Sequence, residues 1–250
     1  SDAIIKHIDY LVNKHHVKHL KFIDEMFVLD KKHVNGIADK IIERRYDLNI
    51  WAYARVDTLE DRKLLDNIKK AGINWLVVGI ESGSKHVRDG AKKKYGNEAI
   101  FNAIRRVQEA GIYVVGNYIY GLPDDTHETM KETLDLAKEL NTEWYNGYAA
   151  MAYPGAPLYI QAKEKGIPVP GDPNMPGGWT AYSHHSYFTL PLPTDTLTAA
   201  EVLKFRDDAF NDYFMNKSYL DMVREKFGEK TVQHVSHMTQ HKIKRKLLGD

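Results

Sequence analysis

The chain has 250 residues, 35 basic against 34 acidic side chains, a net charge of +1 and no cysteine. This balance argues against a broad nucleic-acid surface, and the missing thiols exclude disulfides, thiolate metal sites and cysteine nucleophiles within these residues. The longest apolar run is about eight residues, short of the roughly 20 that span a bilayer, and the first residues are charged and amphipathic rather than leader-like, so a cytoplasmic protein is expected.

Helix-like and strand-like segments alternate over the first 160 residues. Residues 4–15 space Ile4, Ile5, Ile8, Leu11 and Val12 along one helix face. A strand over 19–23 follows and ends in Asp24 and Glu25. Asp30 is placed to cap a helix over 31–46, and 49–56 (NIWAYARV) reads as the second strand, ending in Arg55 and Asp57. A helix over 58–71 closes with Gly72 before a third strand over 73–80. The device recurs: a helix over 97–110, Gly111, then a strand over 112–120. A helix over 126–140 leads into a fifth strand over 143–150.

The sequences KAGI and EAGI at the two turns are near copies, each a helix end with glycine at the left-handed position before a buried strand. Five strands with crossover helices predict a parallel sheet curling toward a barrel; no G-x-G-x-x-G follows the first strand to favour a doubly wound sheet. Residues 1–165 form this part. Residues 166–193 change to Pro, Gly, Trp and His, an irregular segment expected to be ordered by Trp179, Tyr182, Tyr187 and Phe188 and to act as a lid. Residues 194–250 read as a helical extension starting at Thr194 or Thr198. It ends in the basic cluster 241–246 (HKIKRK), read as a solvated helical tail.

The densest chemical signal is 75–84, WLVVGIESGS. Its apolar run reads as a strand buried on both faces, and a carboxylate and two hydroxyls follow at the end where parallel sheets bind ligands. Alternation puts Gly79 and Glu81 on one side, leaving room beside the carboxylate. The other strand ends supply Asp24, Arg55 with Asp57, Asn117 with Gly121-Leu122-Pro123, and Tyr148. Arg55 could pair a ligand carboxylate or its neighbour Asp57; Asp57 could instead cap a helix. Glu81 and Asp24 could accept from an ammonium or ribose hydroxyls, and backbone at Gly116, Gly121 and Pro123 could lie against a flat base. The remaining tyrosines read as packing. His234, His237 and His241 share one face of an expected helix, more in keeping with a solvated surface than a metal site, and His184-His185 could line a lid.

Five segments in this order, FIDEMF (22–27), WAYARVDTL (51–59), AGINWLVVGIESGS (71–84), AGIYVVGNYIYGLPDDT (110–126) and MAYPGAPLY (151–159), resemble the radical S-adenosylmethionine (SAM) superfamily, in particular its cobalamin-associated subgroup. The resemblance implies an α/β fold: a partial (β/α)6 TIM-like barrel lacking its first strand, with a mainly helical C-terminal extension. It implies SAM as cofactor, with Glu81 and Ser82 at its methionine or ribose part, Arg55 near the carboxylate or ribose, and Asn117 with Gly121 on the adenosine side. Asp24 would take the polar position of its strand, and Pro154-Gly155 the adenine-side turn; Gly79 and Tyr148, read from their strand ends and not from the resemblance, are the further pocket candidates.

The family's [4Fe–4S] cluster needs three thiolates spaced C-x3-C-x2-C, which this chain does not have. It is therefore expected to be a portion of a larger enzyme, inactive alone in reductive SAM cleavage. The whole protein would act on an organic substrate, with methyl transfer using cobalamin as the most economical reaction. Loss of a first strand would expose an edge for self-association. Two alternatives remain open: a non-catalytic binding or assembly module of the same shape, and a metal-dependent (β/α) lyase or hydrolase using Asp24, Glu81 and a histidine.

Overall fold

The computed structural model describes residues 2–90 and 95–250. A five-stranded sheet runs through the chain in sequence order, from β1 (His19–Lys21) through β2 (Asn49–Arg55), β3 (Ile73–Glu81) and β4 (Tyr113–Tyr120) to β5 (Trp144–Ala149). Sequential order with helical crossovers is the topology of a βα barrel segment, and pairing is parallel from β1 to β2 and from β2 to β3. Two compact units share these strands. One comprises residues 2–80, 95–117 and 142–144, the other 81–90, 118–141 and 145–250.

In the first unit α1 (Asp2–His15), α2 (Lys31–Arg44), α3 (Arg62–Lys70) and α5 (Asn97–Glu109) carry apolar residues at helical spacing, and these form its core. Val34, Ile37, Ala38 and Ile41 on α2 and Ile100, Ala103, Ile104 and Val107 on α5 are all buried. Asp30 caps α2, as expected, by accepting from the Lys32 and His33 amides. The glycines at the twin turns adopt positive φ, +90° at Gly72 and +75° at Gly111. On the other face of the strands Trp51, Trp75 and Tyr113 form a stack with centroids 5.0 and 4.9 Å apart.

Two boundaries differ from expectation. The first strand ends at Lys21: the Phe22 amide makes a last bond to the Trp51 carbonyl at 2.8 Å, the Phe22 ring stacks on Phe27 at 4.6 Å, and Ile23 is 80% exposed. The third helix starts at Arg62, not 58. Thr58 turns back to bond the Arg55 backbone in a 3-10 turn, and Asp61, not Asp57, supplies the cap to Lys63 and Leu64.

In the second unit α4 (Lys85–Gly90), α6 (His127–Leu140), α7 (Pro157–Glu164) and α8 (Ala199–Phe214) are followed by α9 (Lys217–Phe227) and α10 (Glu229–Thr239). Thr198 begins α8 with a reciprocal capping box to Glu201, which decides between the two candidate starts. The helix α7, with Pro157 in its first turn, falls where only a motif was recognised. Tyr118, Tyr145 and Tyr213 stack at 5.3 and 4.4 Å, and the Tyr120 and Tyr145 hydroxyls meet at 2.8 Å. Tyr118, Tyr120 and Tyr145 are core, as expected, and Tyr213 joins them, whereas Tyr153 is exposed. The irregular segment is anchored in part as expected: Tyr182 donates to the Ala152 carbonyl at 2.8 Å and Tyr187 to the Asp250 carbonyl at 3.0 Å. Trp179 instead is 68% exposed, and buried Val169, Ala181, Thr189 and Leu192 add to the anchoring, with Leu192 donating to the Ala150 carbonyl.

The basic cluster is neither α-helical nor wholly solvated; only Lys246 enters a 3-10 turn (Lys246–Leu248). Helix α10 ends at Thr239, so His241 falls outside it, and Arg245 is fully buried, bonded to Asp207, Ser186 and Thr189. Among the described residues no helix is long and apolar enough to cross a membrane.

Candidate functional site

The end of β3 departs from strand geometry. Glu81 has φ +71°, a left-handed backbone that costs a non-glycine residue about 1–2 kcal/mol. This ends the alternation expected to align Glu81 with Gly79; Gly79 remains in the ladder opposite Arg55. The chain then turns inward. Ser82 is fully buried, its hydroxyl 3.1 Å from that of Thr133 on α6 and accepting from the Ser84 amide. The Gly83 amide donates to Thr133 Oγ1 at 2.8 Å, and buried Arg88 donates to the Ser82 carbonyl at 2.5 Å. The Ser82 side chain, expected at a ligand, thus builds the turn that presents Glu81.

A second built turn follows β4. Gly121 has φ +78°, and an added Cβ would strike Val202 on α8. Its amide and that of Leu122 both donate to Asp125 Oδ2, at 2.9 and 3.0 Å, while Thr129 donates to Oδ1. The Gly121 backbone, expected open to a flat base, is therefore covered and bonded internally. Asp125 was missed by sequence reasoning, although an acid four residues beyond a glycine and just before a threonine cap is a recognisable turn signal. Burial pushes the Asp125 carboxyl above its ordinary value, against the pull of Thr129 and the two amides. A raised native value favours the protonated fold, so this contribution is whole below the unfolded value near 3.8 and is lost as pH climbs through the native one. Asp125→Asn is expected to flatten the pH dependence of stability just above that value while keeping the turn. Asp125→Ala should cost about 1–3 kcal/mol, read by denaturant melts.

On β5, the Tyr148 ring lies 5.3 Å from that of His184. Pro154 and Gly155 form an exposed turn, with φ +84° at Gly155 and the Ala156 amide bonding the Tyr153 carbonyl at 3.0 Å. In the first unit, Asp24 is exposed on the turn after β1, and Asn117 is half-buried on β4. Arg55 is gripped bidentately by Asp57, at 3.0 and 2.9 Å, so the local ion pair is formed. His234 and His237 are exposed, and the rings of His237 and His241 pack edge to face at 4.8 Å. Among the described residues no three metal-ligating side chains cluster.

A five-stranded sheet in sequential order with helical crossovers defines a partial βα barrel. The model of the radical SAM superfamily matches residues 3–137, and the chain belongs to that superfamily. It is 27% identical over 161 residues to an uncharacterized methyltransferase of Pyrococcus horikoshii, covering 64% of this chain and 35% of that protein. It is 26% identical over 220 residues to the anaerobic magnesium-protoporphyrin IX monomethyl ester cyclase of Rubrivivax gelatinosus, covering 87% and 37%. The chain thus spans about a third of the length of these relatives. The fold is similar to that of TsrM from Kitasatospora setae, a radical S-adenosylmethionine methyltransferase solved with cobalamin and a [4Fe–4S] cluster, at TM-score 0.59 and 20% identity over 66% of this chain and 31% of that one.

Proposed function

We propose that this chain is the SAM-binding barrel portion of a radical SAM enzyme whose whole protein transfers a methyl group to an organic substrate. The observation that carries the reading is Glu81, a carboxylate held at the end of β3 in a backbone conformation that glycine would adopt without strain. Family membership supports SAM as the ligand, and the methyltransferase named among the relatives supports the reaction class. When bound, SAM supplies an activated sulfonium. Glu81 would accept from its ammonium or ribose hydroxyls, and Tyr148 and Pro154, in the same unit, would line its pocket.

The cluster is a different matter. It needs thiolates, and 250 residues without cysteine do not fit it, so no electron-transfer step is assigned to this chain. Among the described residues no feature marks a site for cobalamin either. Lack of cysteine favours a second reading of the chain taken alone, a barrel that binds SAM without redox chemistry.

Calorimetry with SAM tests both. The wild type is expected to bind, and Glu81→Gly to bind at least about tenfold more weakly, near 1.4 kcal/mol. Because glycine relieves the strained φ, the same variant should melt no lower than wild type. Equal SAM affinity in the two proteins would refute the assignment. Anaerobic reconstitution is expected to leave the chain without a [4Fe–4S] absorption band; a cluster on these residues would overturn the cluster-free reading.

A further inference from the structure

Three aromatic rings stack at the surface of the second unit. Tyr182 lies against Tyr153 at 5.2 Å and 19° between planes, and against Trp179 at 5.9 Å and 24°. Tyr182 is half-buried, whereas Tyr153 is 51% and Trp179 68% exposed, so the two rings that Tyr182 joins stand mostly in water.

The local backbone builds this arrangement. Residues 178–182 form a 3-10 turn, in which side chains three apart eclipse, and this brings Trp179 beside Tyr182. The turn starts from Gly177, whose φ of +85° favours glycine and whose added Cβ would strike Phe188. The Gly177 carbonyl accepts from the Thr180 amide at 3.0 Å and from its hydroxyl at 2.7 Å. The indole also rests against Gly171, where a Cβ would stand 3.5 Å from three of its atoms. Tyr182 is held at its far end, its hydroxyl donating to the Ala152 carbonyl at 2.8 Å. Burial, then the neighbouring Tyr159, Asp172 and Tyr153, holds the Tyr182 phenol above its ordinary value, so it stays an uncharged donor.

Rings fixed in place yet left in water forgo the burial that stabilises a fold, and an exposed aromatic surface of this kind marks a binding site. Near-parallel, offset planes are the geometry in which π faces stack, so the ligand that extends the series is another flat conjugated ring rather than a saturated one. Charge narrows the choice. Asp172, the neighbour of Tyr182, is paired with Lys163 at 2.7 Å and accepts from the Val169 amide. Lys163 is thereby neutralised, whereas a nucleic-acid strand stacked on these rings would need basic groups for its phosphates. Tyr153 immediately precedes Pro154, already assigned to the SAM pocket, which sets the rings beside the site of reaction.

We propose that Tyr153, Tyr182 and Trp179 form a stacking platform for a flat, uncharged conjugated ring of the substrate. That the ring belongs to a methyl acceptor rests on the methyl-transfer reading; the platform itself does not.

The test titrates the protein with 2-naphthol, a flat conjugated bicycle, and follows the indole N–H signals of the four tryptophans by NMR, with Trp179→Leu identifying that of Trp179. Decahydro-2-naphthol, saturated but carrying the same hydroxyl, and a single-stranded oligouridylate are the comparison arms. 2-Naphthol is expected to shift the Trp179 signal saturably and to leave the others in place. Trp179→Leu and Tyr153→Leu replace exposed rings by apolar side chains. Each is expected to keep the wild-type far-ultraviolet circular dichroism and to bind 2-naphthol at least about tenfold more weakly in calorimetry. Equal affinity for the saturated alcohol, full affinity in both variants, or tighter binding of the oligouridylate would overturn the proposal. SAM is titrated separately. Saturable 2-naphthol binding without SAM binding would support the platform and overturn the SAM reading; SAM binding with no saturable shift of Trp179 would overturn the platform alone.

Discussion

Replacing Gly83 by alanine is expected to lower the melting temperature by about 10 °C or more, or to prevent folding of the second unit. The added Cβ would stand 2.5 Å from the Glu132 carbonyl carbon and 2.7 Å from the Thr133 nitrogen. Both are backbone atoms inside α6 and cannot swing aside as a side chain would. The strand end would have to withdraw from the helix, breaking the bond from the Gly83 amide to Thr133 and unpacking Ser82. Overpacking of this kind costs about 1–3 kcal/mol where neighbours can yield, and more where they are backbone. Thr133→Val removes only the hydroxyl and should cost about 1–2 kcal/mol, since the Gly83 amide then loses its partner. Thermal melts of the two variants read the difference; equal effects would mean that the hydroxyl, not the close approach, is what holds the turn.

Arg245→Ala is the other large effect, an expected loss of about 3–5 kcal/mol from removing one partner of a buried pair. The guanidinium ties α8 to the irregular segment through Asp207, Ser186 and Thr189, so its loss should also expose residues 166–193 to protease before the rest of the chain. Asp207→Ala should be at least as damaging, because it leaves two buried guanidiniums without their shared carboxylate. Limited proteolysis followed by mass spectrometry checks the order of cleavage. Uniform digestion of Arg245→Ala would show that the segment holds itself in place.

Most of the βα order was legible because it rests on local physics. Buried strands announce themselves as Val and Ile runs, and helices as apolar residues at i, i+3 and i+4. The turns at Gly72 and Gly111 were readable for the same reason, since only glycine takes a left-handed φ cheaply. At Glu81 that rule fails: the left-handed residue lies between Gly79 and Gly83 rather than on either, and nothing in the letters shows it. Ser82 was placed at a ligand because a hydroxyl at a strand end looks functional. Its partner, Thr133, is 51 residues away and cannot be paired with it from sequence. Arg245 was one more basic residue in HKIKRK for the same reason, its carboxylate lying 38 residues upstream. The start of α3 differs from the expected 58 because Thr58 turns back onto the Arg55 carbonyl, which leaves Asp61 rather than Asp57 to cap the helix.

The Trp51–Trp75 stack has a spectroscopic consequence. Indoles with centroids 5.0 Å apart and 23° between planes couple excitonically, so the first unit should carry a far-ultraviolet couplet in circular dichroism that random coil lacks. Trp179, in the second unit and 68% exposed, should fluoresce at long wavelength with little further shift on denaturation. The couplet therefore times the loss of the first unit's sheet alone, and comparing it with the Gly83→Ala or Arg245→Ala melts would tell whether the two units come apart in one transition or in two.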